Sequence, residues 1–326
     1  MKNAAFILRF LADAAARGER SALVTLTDVI GRASRAPGTQ MAVSETGAFA
    51  GSLSGGCVEA AVVGEAKRVI ASGIAETLRL GDGSPFIDIK LPCGGGIDLL
   101  IAPAPPVAII DEARRLLSDR MAITLSIGRD GSTSVELQQG IGRSEWRNGV
   151  FRVVHHPDLR LVIIGHGEET RALAALAIAY GVGVSVLTPD KTLANTLDAS
   201  GMEANYLKTL NHSVWLKTDR YTAVVFLFHD HDWEQALLEQ ALQQDGFFIG
   251  AMGSRATQAL RIEALHDRGV AQANIDRLVG PIGLVPATRD PETLALSALA
   301  QIAMHYDEAY NTDRRPTISI TADAAE

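Results

Sequence analysis

Residues 159–187 read LRLVIIGHGEETRALAALAIAYGVGVSVL. The stretch opens on an unbroken apolar run, Leu161 to Ile164, the pattern of a strand buried on both faces. A glycine turn follows, Gly165-His166-Gly167-Glu168-Glu169-Thr170, then an Ala/Leu-rich helical stretch that stops at Gly181, then a second apolar run. Strand, tight turn, helix and strand in this compass make a parallel βαβ unit. The alternation continues through YTAVVFLF (221–228), a helix opened by Asp232 as its N-cap, FFIGA (247–251), a helix from Arg255 and a last long helix from Pro291. An α/β fold is therefore expected, with a Rossmann-like, doubly wound parallel sheet over residues 157–326.

Working back toward the N-terminus, the pattern changes. Helices are expected at 4–17 and 58–72, and strands at 21–29, within 41–53, around 86–91, at 97–102 and near 121–127, with a helix at 107–119. These elements predict an N-terminal α/β domain with a mixed sheet over residues 1–150. Residues 128–156 show little periodicity, carry Gly131, Gly140, Gly142 and Gly149, and lead to His156-Pro157, which places the domain boundary there. Two units also suit 326 residues, at roughly 150 per domain.

Composition narrows the functional classes. Apolar residues make up 47% and charged residues 21%, which is globular rather than disordered. The net charge of −8 repels polyanions, so nucleic acid is not expected as a partner. No apolar run approaches the roughly 20 residues of a membrane span, and two cysteines are too few for a disulfide framework, so a reducing, cytoplasmic setting is expected.

Both cysteines stand beside glycine clusters. Ser54-Gly55-Gly56-Cys57-Val58-Glu59 puts a thiol at a helix start, where unpaired N–H groups and the positive end of the helix dipole lower a thiol pKa and bind anions. A small buried cysteine at a chain turn, with Glu59 merely complementing the dipole, is an equally open reading. Cys93-Gly94-Gly95-Gly96 forms a second glycine loop between strands, where a ligand can approach the backbone closely. Sulfur, metal or redox chemistry in one cleft competes here with a disulfide. Arg35, in the turn Ser34-Arg35-Ala36-Pro37-Gly38, offers a guanidinium to phosphate or carboxylate.

In the second half, Gly165 and Gly167 stand where a dinucleotide fingerprint begins, but Thr170 replaces the third glycine, and Glu168 and Glu169 add negative charge where a pyrophosphate would dock. NAD(P) binding is thereby disfavoured. His229 and His231 follow the strand 221–228 at the carboxyl end of the sheet, either as metal ligands or, the favoured reading, as part of a helix cap. Gly253, Ser254 and Arg255 make another strand-to-helix turn, with Ser254 a cap and Arg255 a phosphate partner.

Taken in order, SRAPGTQM, GSLSGGCVEAAVV, LPCGGG, FHDHDWEQALLEQAL, FFIGAMGSRATQALRIEAL, GPIGL and PETLALSALAQI resemble the xanthine dehydrogenase accessory protein family, XdhC/CoxI, over nearly the whole chain. The resemblance implies a maturation factor in preference to a classical enzyme. Such a factor binds molybdenum cofactor, favours its sulfurated form and delivers it to a molybdenum hydroxylase client, with a cysteine desulfurase as sulfur source. The residues are compatible with that role, and the cofactor, in its molybdopterin form with or without a nucleotide, is expected to meet Cys57 at its metal or sulfur end. Cys93 would assist, while Gly55, Gly56, Ser54, Glu59, Arg35, Gly94 and Gly95 surround it. Whether Cys57 ligates molybdenum or carries persulfide sulfur is left open by the residues, as is assembly into a homo-oligomer. If a cleft between the halves holds ligand, His229, His231 and Arg255 are expected to close over it. Two rivals stand beside this reading: an NAD(P)-dependent oxidoreductase working from the Rossmann half, and a regulatory adaptor that carries no cofactor.

Overall fold

The computed structural model describes residues 3–31, 34–54, 56, 58–84, 94–229 and 231–310. The chain packs as two compact units that part between Pro157 and Asp158.

The first unit runs α1 (Asn3–Ala16), β1 (Ser21–Ile30), β2 (Gln40–Ser44), β3 (Phe49–Gly51), α2 (Glu59–Ser72), β4 (Glu76–Gly81), β5 (Gly96–Pro103), α3 (Val107–Ser118), β6 (Ile123–Gly128), β7 (Thr133–Leu137), β8 (Glu145–Arg147) and β9 (Val150–His155). One sheet has the order β3-β2-β1-β5-β4 and a second the order β7-β6-β9-β8. β1 is buried along SALVTLT because the first sheet is covered on both faces. Its period of two sends Ala22, Val24 and Leu26 to a core with Val62, Ala66 and Val69 of α2. Leu23 points the other way, into a core shared by Leu11 of α1, Ile110 of α3 and Phe151 of β9. α2 presents its apolar stripe to the sheet and ends where Gly73 turns left-handed at φ 70°, its N–H returning to the Val69 carbonyl.

Three sequence expectations are corrected here. Every pairing among the described strands of this unit is antiparallel rather than mixed, since β1, β2 and β3 follow one another as hairpins and β4 returns directly into β5. Residues 128–156, expected to be poor in regular structure, hold three strands of the second sheet, whose outward faces are polar enough to hide the period. β4 was not foreseen, while the strand expected around 86–91 lies outside the described residues.

The second unit runs β10 (Arg160–Gly165), α4 (Gly167–Tyr180), β11 (Gly183–Thr188), α5 (Lys191–Ala199), β12 (Glu203–Tyr206), β13 (Thr222–Leu227), a 3-10 turn (His231–Trp233), α6 (Gln235–Gln243), β14 (Phe248–Ala251), α7 (Arg255–Asp267), α8 (Gln272–Ile275), β15 (Leu278–Val279) and α9 (Pro291–Tyr310). All pairs are parallel, in the order β12-β11-β10-β13-β14-β15. That is the doubly wound Rossmann order, with its switch point between β10 and β13. The expected N-cap at Asp232 is also corrected: the 3-10 turn intervenes and the α-helix begins only at Gln235, after Glu234. None of the described helices is long and apolar enough to cross a membrane.

Candidate functional site

Strand register decides where the motif loops emerge. Ile30 at the end of β1 lies opposite Gly96 at the start of β5, and Gly96 lies opposite Gly81 at the end of β4. β2 begins at this end of the sheet and β3 finishes there, Gly51 facing Met41. The Arg35 turn, the Ser52–Val58 loop and the Gly94–Gly95 segment, although far apart in sequence, therefore leave the five-stranded sheet at one end. Gly95 confirms the approach, because a Cβ built on Gly31 would sit 3.6 Å from its Cα.

The Ser52–Val58 loop is organised by Glu59, which is 6% exposed. Its Oε1 accepts from Ser52 Oγ at 2.8 Å, Leu53 N at 3.1 Å and Ser54 N at 3.1 Å. Its Oε2 accepts from Ser54 Oγ at 3.0 Å, Gly56 N at 2.9 Å and Val58 N at 3.2 Å. Burial alone would push this carboxyl up, but the donors from Ser54 and Ser52 outweigh it and hold the group at about 2. Glu59 is thus a fixed anion inside its own loop, with no lone pair turned outward. Gly56 makes the arrangement attainable, since its φ of 119° is closed to other residues.

Around this anchor there is room. Among the described residues, a Cβ built on exposed Gly56 or Gly94 meets nothing within 4 Å. The Arg35 turn is pinned to β1 by Gly38 N to Leu26 O at 2.8 Å and Leu26 N to Thr39 O at 2.9 Å. Arg35 itself is exposed. Gly55, Cys57 and Cys93 lie outside the described residues.

The other predicted residues stand together at the carboxyl end of the parallel sheet, in the second unit. Gly165 lets α4 close on the sheet, for a Cβ there would lie 2.5 Å from the Leu227 carbonyl and 2.6 Å from Thr170 Oγ1. Thr170, in the place of the third glycine, is fully buried and hydrogen-bonds the His166 carbonyl at 3.1 Å. Gly167 is left-handed at φ 77°. The two acids beside it are engaged: Glu168 with Arg171 at 2.6 Å and Glu169 with His229 at 3.3 Å. His166 packs between Phe228 and His229, with ring centroids 5.5 and 6.2 Å away. His231 opens the 3-10 turn. Ser254 caps α7 by accepting from Thr257 N at 3.0 Å, as its sequence predicts, with Gly253 before it at φ 146° and exposed Arg255 after it. Among the described residues, no three His, Cys, Asp or Glu side chains gather as a metal site.

Sequence reading missed the group that builds this end. Glu234 and Arg261, 2% and 4% exposed in their side chains, form a buried two-pronged pair with both bonds at 3.0 Å. Arg261 also reaches the Met252 carbonyl at 2.9 Å and Gln258 Oε1 at 2.9 Å. Gln258 in turn packs so closely on Gly280 that no Cβ fits there. All of these polar residues fall inside the stretches 228–242 and 247–265 singled out above.

With this geometry in view, comparison with known proteins is informative. The pattern described as the XdhC Rossmann domain matches residues 161–302, and that of the XdhC and CoxI family matches residues 14–81. The chain is 36% identical to the Escherichia coli protein "Molybdenum cofactor insertion chaperone PaoD" over 93% of this chain and 89% of that one. It is 24% identical to a Bacillus subtilis protein described as a probable xanthine dehydrogenase component, over 87% of this chain and 92% of that one. A crystal structure of a protein described as a xanthine dehydrogenase from Bacillus halodurans shares the fold, with a TM-score of 0.76 at 20% identity, covering 95% of this chain and 98% of that one. Motif order, fold and these matches agree that the chain belongs to the XdhC and CoxI family.

Proposed function

We propose that this protein binds molybdenum cofactor as cargo on the loops at the end of its five-stranded sheet, keeps it in the sulfurated form, and passes it to a xanthine dehydrogenase-type molybdenum hydroxylase. The observation that carries the reading is the convergence of the Arg35 turn, the Glu59-braced loop and the Gly94–Gly95 segment at one sheet end. The name of the 36%-identical relative gives that protein the insertion of molybdenum cofactor as its task. The residues suit the cargo: open backbone at Gly56 and Gly94 lets a flat pterin lie against the chain, and Arg35 supplies a cation for its phosphate.

Each residue then has a part. Glu59 is a positioning residue that fixes the loop carrying Cys57. Cys57 meets the metal or sulfur end of the cargo, as ligand or as a transient sulfur carrier, with Cys93 assisting. A cysteine desulfurase is the sulfur source. The whole exchange belongs in the cytoplasm, where thiols stay reduced. The Rossmann unit supports these events, and its modified glycine turn is not assigned a nicotinamide.

The test is anaerobic co-purification, with molybdenum, oxidised pterin fluorescence and nicotinamide measured in one sample. Molybdenum with pterin is expected, falling at least about tenfold in Cys57→Ala while the melting temperature stays unchanged. A Cys57→Ala protein that keeps wild-type molybdenum and still activates its client would remove Cys57 from the site. Nicotinamide without molybdenum would instead make the chain an oxidoreductase, and neither ligand would make it an adaptor.

A further inference from the structure

The described N–H groups of the loop at the proposed site, those of Leu53, Ser54, Gly56 and Val58, are turned inward onto Glu59 and not toward an incoming anion. A phosphate brought here gains from cationic side chains close to the loop, in a chain whose net charge is −8.

Most guanidinium groups of the first unit are spoken for. Eight of its described arginines pair with carboxylates, and Arg129 lies 4.2 Å from the centre of the Trp146 ring. Arg35 and Arg143, like Arg9 on α1, are exposed and have neither ion pair nor hydrogen bond among the described residues. Arg35 and Arg143 stand on loops that touch. A Cβ built on Gly38 would lie 2.8 Å from Ser144 Cβ, so the Arg35 turn rests directly on the residue after Arg143. The 139–144 loop is also anchored at both ends. Val154 N donates to Ser144 Oγ at 3.2 Å, Gln138 Nε2 donates to the Gln139 carbonyl at 2.9 Å, and the Thr124 hydroxyl holds Gln138 Oε1.

We propose that Arg35 and Arg143 act together as the phosphate clamp of the site, Arg143 being a binding residue contributed by the second sheet. The inference rests on the cargo reading above and deepens it by naming which groups recognise the phosphate ester. A planar guanidinium donates two parallel hydrogen bonds to phosphate oxygens, and two such groups on neighbouring anchored loops can grip one phosphate from two sides with little backbone ordering cost. A pyrophosphate in a nucleotide-bearing cofactor would present the same chemistry.

The experiment uses the full chain under anaerobic conditions with two probes: metal-free molybdopterin and the same pterin after enzymatic removal of its phosphate. Retained pterin is read by fluorescence after oxidation. Wild type is expected to prefer the phosphorylated probe, and Arg35→Ala and Arg143→Ala should each weaken that probe by about tenfold or more while leaving the dephosphorylated one unchanged. Arg143→Lys should recover part of the loss, and melting curves should match wild type because Arg143 is exposed. A folded Arg143→Ala that binds both probes as wild type does, or loses both equally, overturns the clamp. Wild type that binds both probes equally overturns the clamp alone, whereas wild type that retains neither overturns the cargo reading itself.

Discussion

Glu59 illustrates how one side chain can be visible in a sequence while its task is not. Its place in the first helical turn follows from spacing, and a complement to the dipole is a sufficient account of that. Its six donors depend on the left-handed Gly56 and on how Ser52 to Ser54 turn back, which no periodicity encodes. Replacing it with Gln leaves the size nearly unchanged but turns an amide N–H₂ toward donors, so Glu59→Gln is expected to cost about 2 kcal/mol in urea unfolding. The pH dependence has a definite sign. The folded carboxyl sits at about 2 against the ordinary 4.5, so its stabilisation is complete above that ordinary value and is lost as pH falls toward 2. Melting temperatures of wild type and Glu59→Gln should therefore converge between pH 4.5 and pH 2. A difference that is the same at pH 3 and pH 7 would mean that the charge of Glu59 does not brace the loop. His155 shifts stability in the same direction: burial holds its imidazole down to about 3 against the ordinary 6.5, so it is neutral at pH 7 and stability is lost as pH falls from the ordinary value through about 3.

Among the elements, those covered on both faces were readable and those with a wet face were not. β1, β10 and β13 announce themselves as continuous apolar runs, and α2 as a stripe closed by glycine. β4, β7 and β8 alternate weakly because they are edge strands whose polar residues face solvent, and Glu and Arg there read as loop. Pairing between distant elements is harder still. Glu234 lies just before α6 and Arg261 within α7, and nothing in either helix alone points to the other. Their ion pair joins the 3-10 turn, α7 and the β14 carbonyl end, which is why a charged pair is kept where apolar residues would be expected. Arg261→Ala strands a buried carboxylate and is expected to lose about 3–5 kcal/mol, with Arg261→Lys recovering little because one ammonium cannot meet both oxygens and the Met252 carbonyl in that geometry. Urea unfolding checks both variants. Wild-type stability in Arg261→Ala would show the pair to be dispensable.

For the molecule as a whole, the change from antiparallel to parallel pairing coincides with the change of core. The buried cluster built from Val162, Phe226 and Leu237 draws only on the second unit, and the clusters around Leu23 and Val24 draw only on the first. Two fold types, one antiparallel among its described strands and one doubly wound, were separable in sequence because buried parallel strands lack alternation, whereas the polar strands just before the seam were not recognised as strands. Self-contained cores carry a consequence for where the cargo goes. Residues 158–311 expressed alone should unfold in one cooperative urea transition, since a Rossmann sheet of six strands has its own interior. The same fragment should retain no molybdenum or pterin, because Arg35, Glu59 and Arg143 all lie before Pro157. Circular dichroism against urea tests the first expectation and anaerobic metal analysis the second. A fragment that unfolds gradually would show that the second core needs the first, and one that binds the cofactor would move the site to the carboxyl end of the parallel sheet, where His166, Glu169 and His229 already meet.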